Sequence, residues 1–371
     1  MDAIFPLGFP PATTFYLTLY VATLVVHVVF MNYVLAGATY LLLASFWGTG
    51  CRKACCWQRL IKDWIPFATG LAITAGVAPL LFVQILYQRE FYTANQLLSH
   101  RFMLILPILI VCFYMLYVLK SHWIQARGTA VQIGARLVVF LGFAFIAWSW
   151  TENHLLSLDE AVWRGFYAEG RSFYVATGMF ARLAMWFLGA FSTLAVLLMW
   201  QARQTPGFVL DPDERSAWRR LAATGAGGLV TAGIAGAVYF LLLPAEQRAP
   251  AVSWLGGPYL AIASLGAMAQ LVGWVRIARS GVTTLVDRLA ITVGCLATIS
   301  GMAVVRESIR LGSVTLADVQ AMHADAMQIG GLGAFLGFLV LNGGLIGWTI
   351  VRVRREIFAN ESRVQAPGSR G

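Results

Sequence analysis

Charge is what this sequence has least of. Charged residues fill 12% of its 371 positions, against about 25% in soluble domains, while hydrophobic residues reach 59%. With a mean hydropathy of +0.71, a soluble globular domain is excluded and an all-α integral membrane protein is expected. Cysteine is scarce too: Cys51, Cys55, Cys56, Cys112 and Cys295. The run "CRKACC" has neither the two-residue gap nor the trailing His of covalent haem attachment, which excludes a c-type haem within this chain. A zinc site there lacks a second pair of ligands, and thiols in a reducing cytosolic loop are expected instead. The formal charge of +10 reads as an orientation signal in a membrane protein, not as a nucleic-acid footprint. No repeat of 20–50 residues, low-complexity tract or second soluble domain is seen, so residues 1–371 are expected to form one membrane domain.

A hydrocarbon core of about 30 Å requires about 20 apolar residues in a helix. Such runs occur near Thr13–Phe46, Trp64–Leu86, Phe102–Leu119, Leu137–Trp150, Tyr174–Trp200, Leu221–Leu243, Trp254–Trp274, Leu289–Val305 and Gly330–Val351, nine in all. The first is too long for a cleaved signal and nothing basic precedes it, so it is expected to stay as a membrane helix. Loops on the side of the C-terminal tail hold most of the 27 Lys and Arg. That bias places the C-terminus in the cytoplasm and the N-terminus outside. The two longest outer loops, Thr151–Tyr174 and Val305–Gln328, space their apolar residues as short interfacial helices do.

Acids are missing from the interior of every expected span, which argues against a proton pump or ion channel. Two basic groups remain. His27 lies deepest, in "VVHVVFMNYVLAGATYLLL", with Met31 one turn on and the small Ala36–Ala38 patch beyond. Its imidazole suits either a haem iron or a hydrogen bond to another helix. Arg182 stands about two turns inside the fifth span, suited to a haem propionate or to a loop carboxylate such as Glu169. Arg306 and Arg310, at the end of the eighth span, suit a propionate or simple solvation. His100, His154 and His323 are expected at the outer surface and His122 at the inner one.

Three stretches carry a family resemblance. "HVVFMNYVLAGATYLLL", "GLAITAGVAPLLFVQILYQREFY" (Gly70–Tyr92) and "WTENH" (Trp150–His154) resemble the first, second and fourth helices of the haem-bearing large subunit of cytochrome bd-type quinol oxidases and their shortened relatives, mainly over residues 13–200. The resemblance implies a nine-helix, bd-like bundle in a bacterial inner membrane, b-type haem with His27 on the iron, and quinone as a further ligand. It also implies other membrane subunits and an external c-type cytochrome as partners. The departures are specific. Met185 stands where the family has a second haem-ligating His, and the third span lacks the family's glutamates. The long quinol loop after the sixth span is replaced by "PAEQRAPAVS". The resemblance therefore implies an electron-transfer subunit that does not itself reduce oxygen, or a cofactor-free subunit that anchors such a complex. A transporter would show inverted repeats and broken helices around a polar midplane site, and the sequence has neither.

Overall fold

The computed structural model describes residues 10–46, 55–205, 214–314 and 316–329, and after them 333, 336–341, 343–345, 348 and 351–352. The chain divides into two compact units, residues 1–320 and 321–371.

The helices follow in the order α1 (Pro11–Leu43), α2 (Cys55–Leu86), α3 (Gln88–Met103), α4 (Ile105–Lys120), α5 (His122–Gln125), α6 (Thr129–Ser157), α7 (Glu160–Ala168), α8 (Met179–Gln204), α9 (Glu214–Leu242), α10 (Ala245–Ala251), α11 (Gly256–Ser280), α12 (Leu285–Leu311) and α13 (Leu316–Ile329). Helices α1 to α12 all belong to the first unit. Seven helices are long and apolar enough to cross a membrane, and α3 with α4 forms a bent pair that makes up to eight, among the described residues. These match the first eight apolar runs. Of the ninth, Gly330–Val351, 12 of 22 residues are described, and a shorter apolar helix is found at Leu336–Leu345.

Local chemistry explains several boundaries. Pro11 opens α1, where a missing N–H costs nothing. The 41° bend between α3 and α4 lies between Ser99, whose φ of 47° leaves the helical region, and Pro107, which has no N–H to return to the carbonyl four residues back. Gly281, with φ at 69°, ends α11 in the left-handed region. A reciprocal capping box of Thr284 and Asp287 opens α12.

Helix α1 packs on α2, α6, α8 and α12, while α11 pairs with α12 and α8 with α9. The α11–α12 contact is backbone-close. A Cβ on Gly266 would meet the Gly294 carbonyl at 2.6 Å, and one on Gly294 would meet the Gly266 carbonyl at 2.6 Å. Close approach of this kind is how helices gain packing energy where no hydrophobic force drives them together. Gly294→Val is therefore expected to cost about 1–3 kcal/mol by overpacking. It should lower the thermal midpoint in detergent by several degrees, and an unchanged midpoint would contradict this packing.

Two helices outrun their apolar cores. α6 continues to Ser157 and α12 to Leu311, so the first part of each expected outer loop is buried helix. The acid-free reading of the spans is corrected with them. Glu152 on α6 and Glu307 on α12 are buried inside helices, each neutralised by arginine. The expected short helices do follow, as α7 and α13.

Candidate functional site

A cavity of about 610 Å³ lies among α1, α8, α9, α11 and α12, with His154 of α6 reaching one end. Its size falls within the roughly 300–1,000 Å³ of small-molecule and cofactor sites. Helical spacing delivers the lining. Leu24, Val28, Met31 and Asn32 share a face of α1, and Arg182, Met185, Trp186, Gly189 and Thr193 share one of α8. The walls are largely apolar, with hydrogen-bonding groups on one flank. Asn32 donates to Thr193 at 3.1 Å, Ser192 to Gln270 at 3.1 Å, and Gln270 to Thr298 at 2.9 Å.

The opposite character is concentrated where Arg182, Arg306 and His154 line the cavity. Arg182 is buried, donates to the Tyr239 hydroxyl at 3.1 Å and sits over the Trp186 and Tyr239 rings. Arg306 donates to Glu307 from Nε at 2.9 Å and from Nη2 at 2.7 Å, and to the Tyr20 hydroxyl at 2.6 Å. Arg310 is buried beside the same carboxylate at 3.6 Å, with its guanidinium 4.5 Å from the centre of the Tyr87 ring. The Tyr87 hydroxyl donates to Glu307 at 2.9 Å. Burial and the Glu307 carboxylate hold the Tyr87 phenol well above its usual range, so it stays protonated. Two guanidinium groups, Arg306 and Arg310, thus share one carboxylate, and Arg182 adds a third buried cation that pairs with a phenol instead. The net positive charge next to an apolar cavity favours a ligand with negative or acceptor oxygens.

His154 does not lie at the surface, where the sequence places it. It is 7% exposed, with Nδ1 against Arg310 Nη2 and Nε2 buried without a hydrogen-bond partner among the described residues. His323 is also buried, whereas His100 and His122 are exposed as expected. The sequence signal for His154 was "TENH" continuing the helical period of the fourth apolar run. A loop reading of those polar residues concealed it.

The residues singled out from the sequence do not all converge. Arg182, Met185 and Arg306 line the cavity, and Arg310 braces it through His154. Arg182 pairs with Tyr239, not Glu169, whose partner is Arg171. Arg306 and Arg310 are network members, not solvated ends. His27 is not among the cavity's lining residues. It turns towards α2, where Nδ1 lies 2.9 Å from the Ala72 carbonyl oxygen. A Cβ on Gly76 would approach the imidazole to 2.9 Å, so the glycine makes room for the ring. A carbonyl only accepts, so Nδ1 carries the proton and Nε2 the lone pair.

No protein-family model matches the chain, and no curated relative does. A chain of the bd oxidase from Geobacillus thermodenitrificans has a similar structure, with a TM-score of 0.60 at 13% sequence identity. The two share a fold. The correspondence covers 93% of this chain and 98% of the oxidase chain. It thus extends well beyond residue 200, where the sequence resemblance fades. At this identity fold does not carry residue roles across, which must be argued from the site itself.

Proposed function

We propose that this chain is the membrane subunit of a respiratory electron-transfer complex in a bacterial inner membrane. It holds b-type haem, quinone or both, and relays electrons between the quinone pool and a c-type cytochrome on the outer side. The observation that carries this reading is the cavity of about 610 Å³ capped by arginines that outnumber the carboxylate facing them. The shared fold with a bd oxidase chain supports it. The N-terminus is outside and the C-terminus cytoplasmic on the Lys/Arg bias, with partners docking on the outer segments near α7 and α13.

The donor set fits haem in part. Arg182, Arg306 and Arg310 would hold propionates, and His27 has the ligating tautomer, its second ring nitrogen bonded to a carbonyl as iron-bound histidines require. Met185 would be a thioether ligand from the cavity wall. Because His27 does not line that cavity, haem on His27 and a ligand in the cavity are separate sites. A bound haem or quinone would supply the electron-carrying chemistry. The chain's own residues neutralise charge, orient the ligand and exclude water.

A second reading, a cofactor-free anchoring subunit, is favoured by one observation. The Ala72 carbonyl already satisfies His27 as a structural helix-to-helix hydrogen bond would. A reduced-minus-oxidised visible spectrum of the purified chain, with pyridine-haemochrome assay and solvent extraction of quinone, decides between them. The proposal expects haem or quinone in near-stoichiometric amount. Their joint absence leaves the anchoring reading. Quinol-dependent oxygen consumption by the chain alone should be absent, since α4 carries no acid. Consumption that responds to mutation within this chain would contradict that.

A further inference from the structure

The buried His154–Arg310 contact fixes what the basic end of the cavity offers a ligand. Arg310 Nη2 meets His154 Nδ1. A guanidinium has donors and no acceptor, so Nδ1 must be the lone-pair nitrogen of a neutral ring. The proton of that ring is then on Nε2. This is the nitrogen that is buried, unpartnered among the described residues, and part of a side chain lining the cavity. Arg310 has little freedom to release the ring. It is buried, stacked near Tyr87, and close to Glu307 at 3.6 Å and the Tyr20 hydroxyl at 3.5 Å.

An iron ligand needs the reverse arrangement, a lone pair towards the metal and an N–H towards an acceptor. Turning His154 to that tautomer would aim an N–H at a guanidinium. His27 and His154 are therefore complementary. His27 has its N–H satisfied by Ala72 and its Nε2 lone pair free of that bond, while His154 has its lone pair satisfied and its N–H unanswered. Beside His154 the cavity presents Arg182 and Arg306, which can only donate.

We propose that His154, locked by Arg310 as the Nε2–H tautomer, is the hydrogen-bond donor that seats an acceptor oxygen of the cavity's ligand, with Arg310 its positioning residue. The ligand class is a flat, largely apolar molecule bearing carbonyl or carboxylate oxygens, either a quinone headgroup or a haem through a propionate. The proposal rests on the reading that the cavity holds a redox ligand, but the tautomer does not.

Two measurements on the full chain separate these. The first is nitrogen NMR of the chain labelled at its five histidines, with His154 assigned by loss of its signals in His154→Gln. The expected result is a neutral ring protonated at Nε2. In Arg310→Gln, whose amide oxygen accepts, the ring should shift to a mixture of tautomers. A ring protonated at Nδ1 in the parent protein overturns the proposal. The second measurement quantifies quinone and haem in His154→Gln, which keeps an N–H donor, and in His154→Met, which keeps an iron ligand and has no donor. His154→Gln should retain the ligand, and His154→Met should bind it roughly tenfold more weakly, the value of one hydrogen bond. Quinone lost from His154→Met identifies a carbonyl acceptor, and haem lost from it identifies a propionate. Haem lost from His154→Gln but kept by His154→Met makes His154 an iron ligand and overturns the proposal. A parent chain with neither pigment nor quinone refutes the cofactor reading and leaves the tautomer result intact.

Discussion

Glu307→Ala is expected to prevent the chain from assembling. Glu307 is buried and is the carboxylate that Arg306 and Arg310 both approach, while Tyr87 donates its hydroxyl to the same group. Removing it leaves two guanidinium groups without their counter-charge and a buried phenol without its acceptor, beside a third cation, Arg182. Breaking a buried ion pair costs about 3–5 kcal/mol, and here one carboxylate serves two cations. Against a typical stability of about 5–15 kcal/mol, that is enough to remove most folded protein. Glu307→Gln keeps an acceptor oxygen and loses the charge, so an intermediate loss is expected. The check is the yield of monodisperse chain in mild detergent and its thermal midpoint. A Glu307→Ala chain that purifies normally, with a midpoint within a few degrees of the parent, would show that the network is not structural.

Glu152→Ala should have the next largest effect, for a different reason. The Glu152 side chain is fully buried, pairs with Arg101 and accepts from Trp148 Nε1 at 3.1 Å and from the Tyr174 backbone N–H at 2.7 Å. It thereby ties the end of α3, the end of α6 and the segment entering α8 into one corner. Arg101 strengthens the corner by donating to the Ser172 carbonyl at 2.8 Å and stacking 4.3 Å from the Phe173 ring centre. Loss of Glu152 leaves a nearly buried arginine unpaired, at about 3–5 kcal/mol, and frees the segment that positions Arg182 and Met185. Both the thermal midpoint and the ligand content should fall together. Arg101→Lys, which keeps the charge but not the fork or the ring stacking, should show a clearly smaller loss. If Glu152→Ala lowers neither quantity, the corner does not position α8.

The helices were legible because apolar length is a strong signal, and the first eight runs each found their helix. Arg182 was legible for the same reason, since a guanidinium inside an apolar run must find a partner there. The rest of the site was not. Glu152, His154 and Glu307 lie where hydropathy falls away at helix ends, so they read as loop. Their burial is created by partners far along the chain: Arg310 is 156 residues from His154, and Tyr87 is 220 from Glu307. His27 was the converse case. Its depth was plain in the sequence, but whether it faced a cavity or the backbone of α2 depended on Gly76 and Ala72, which no spacing within α1 specifies.

A redox ligand held in the arginine-capped cavity should be directly visible. The most direct test is an experimental density map of the chain purified in mild detergent. Non-protein density is expected in the space between α1, α8, α9, α11 and α12, within hydrogen-bond distance of Arg182 or His154 Nε2, and displaced or weakened in Ala303→Leu, which intrudes on the cavity from its α12 wall. A cavity that contains only water or a lipid tail, unchanged by Ala303→Leu, would contradict it.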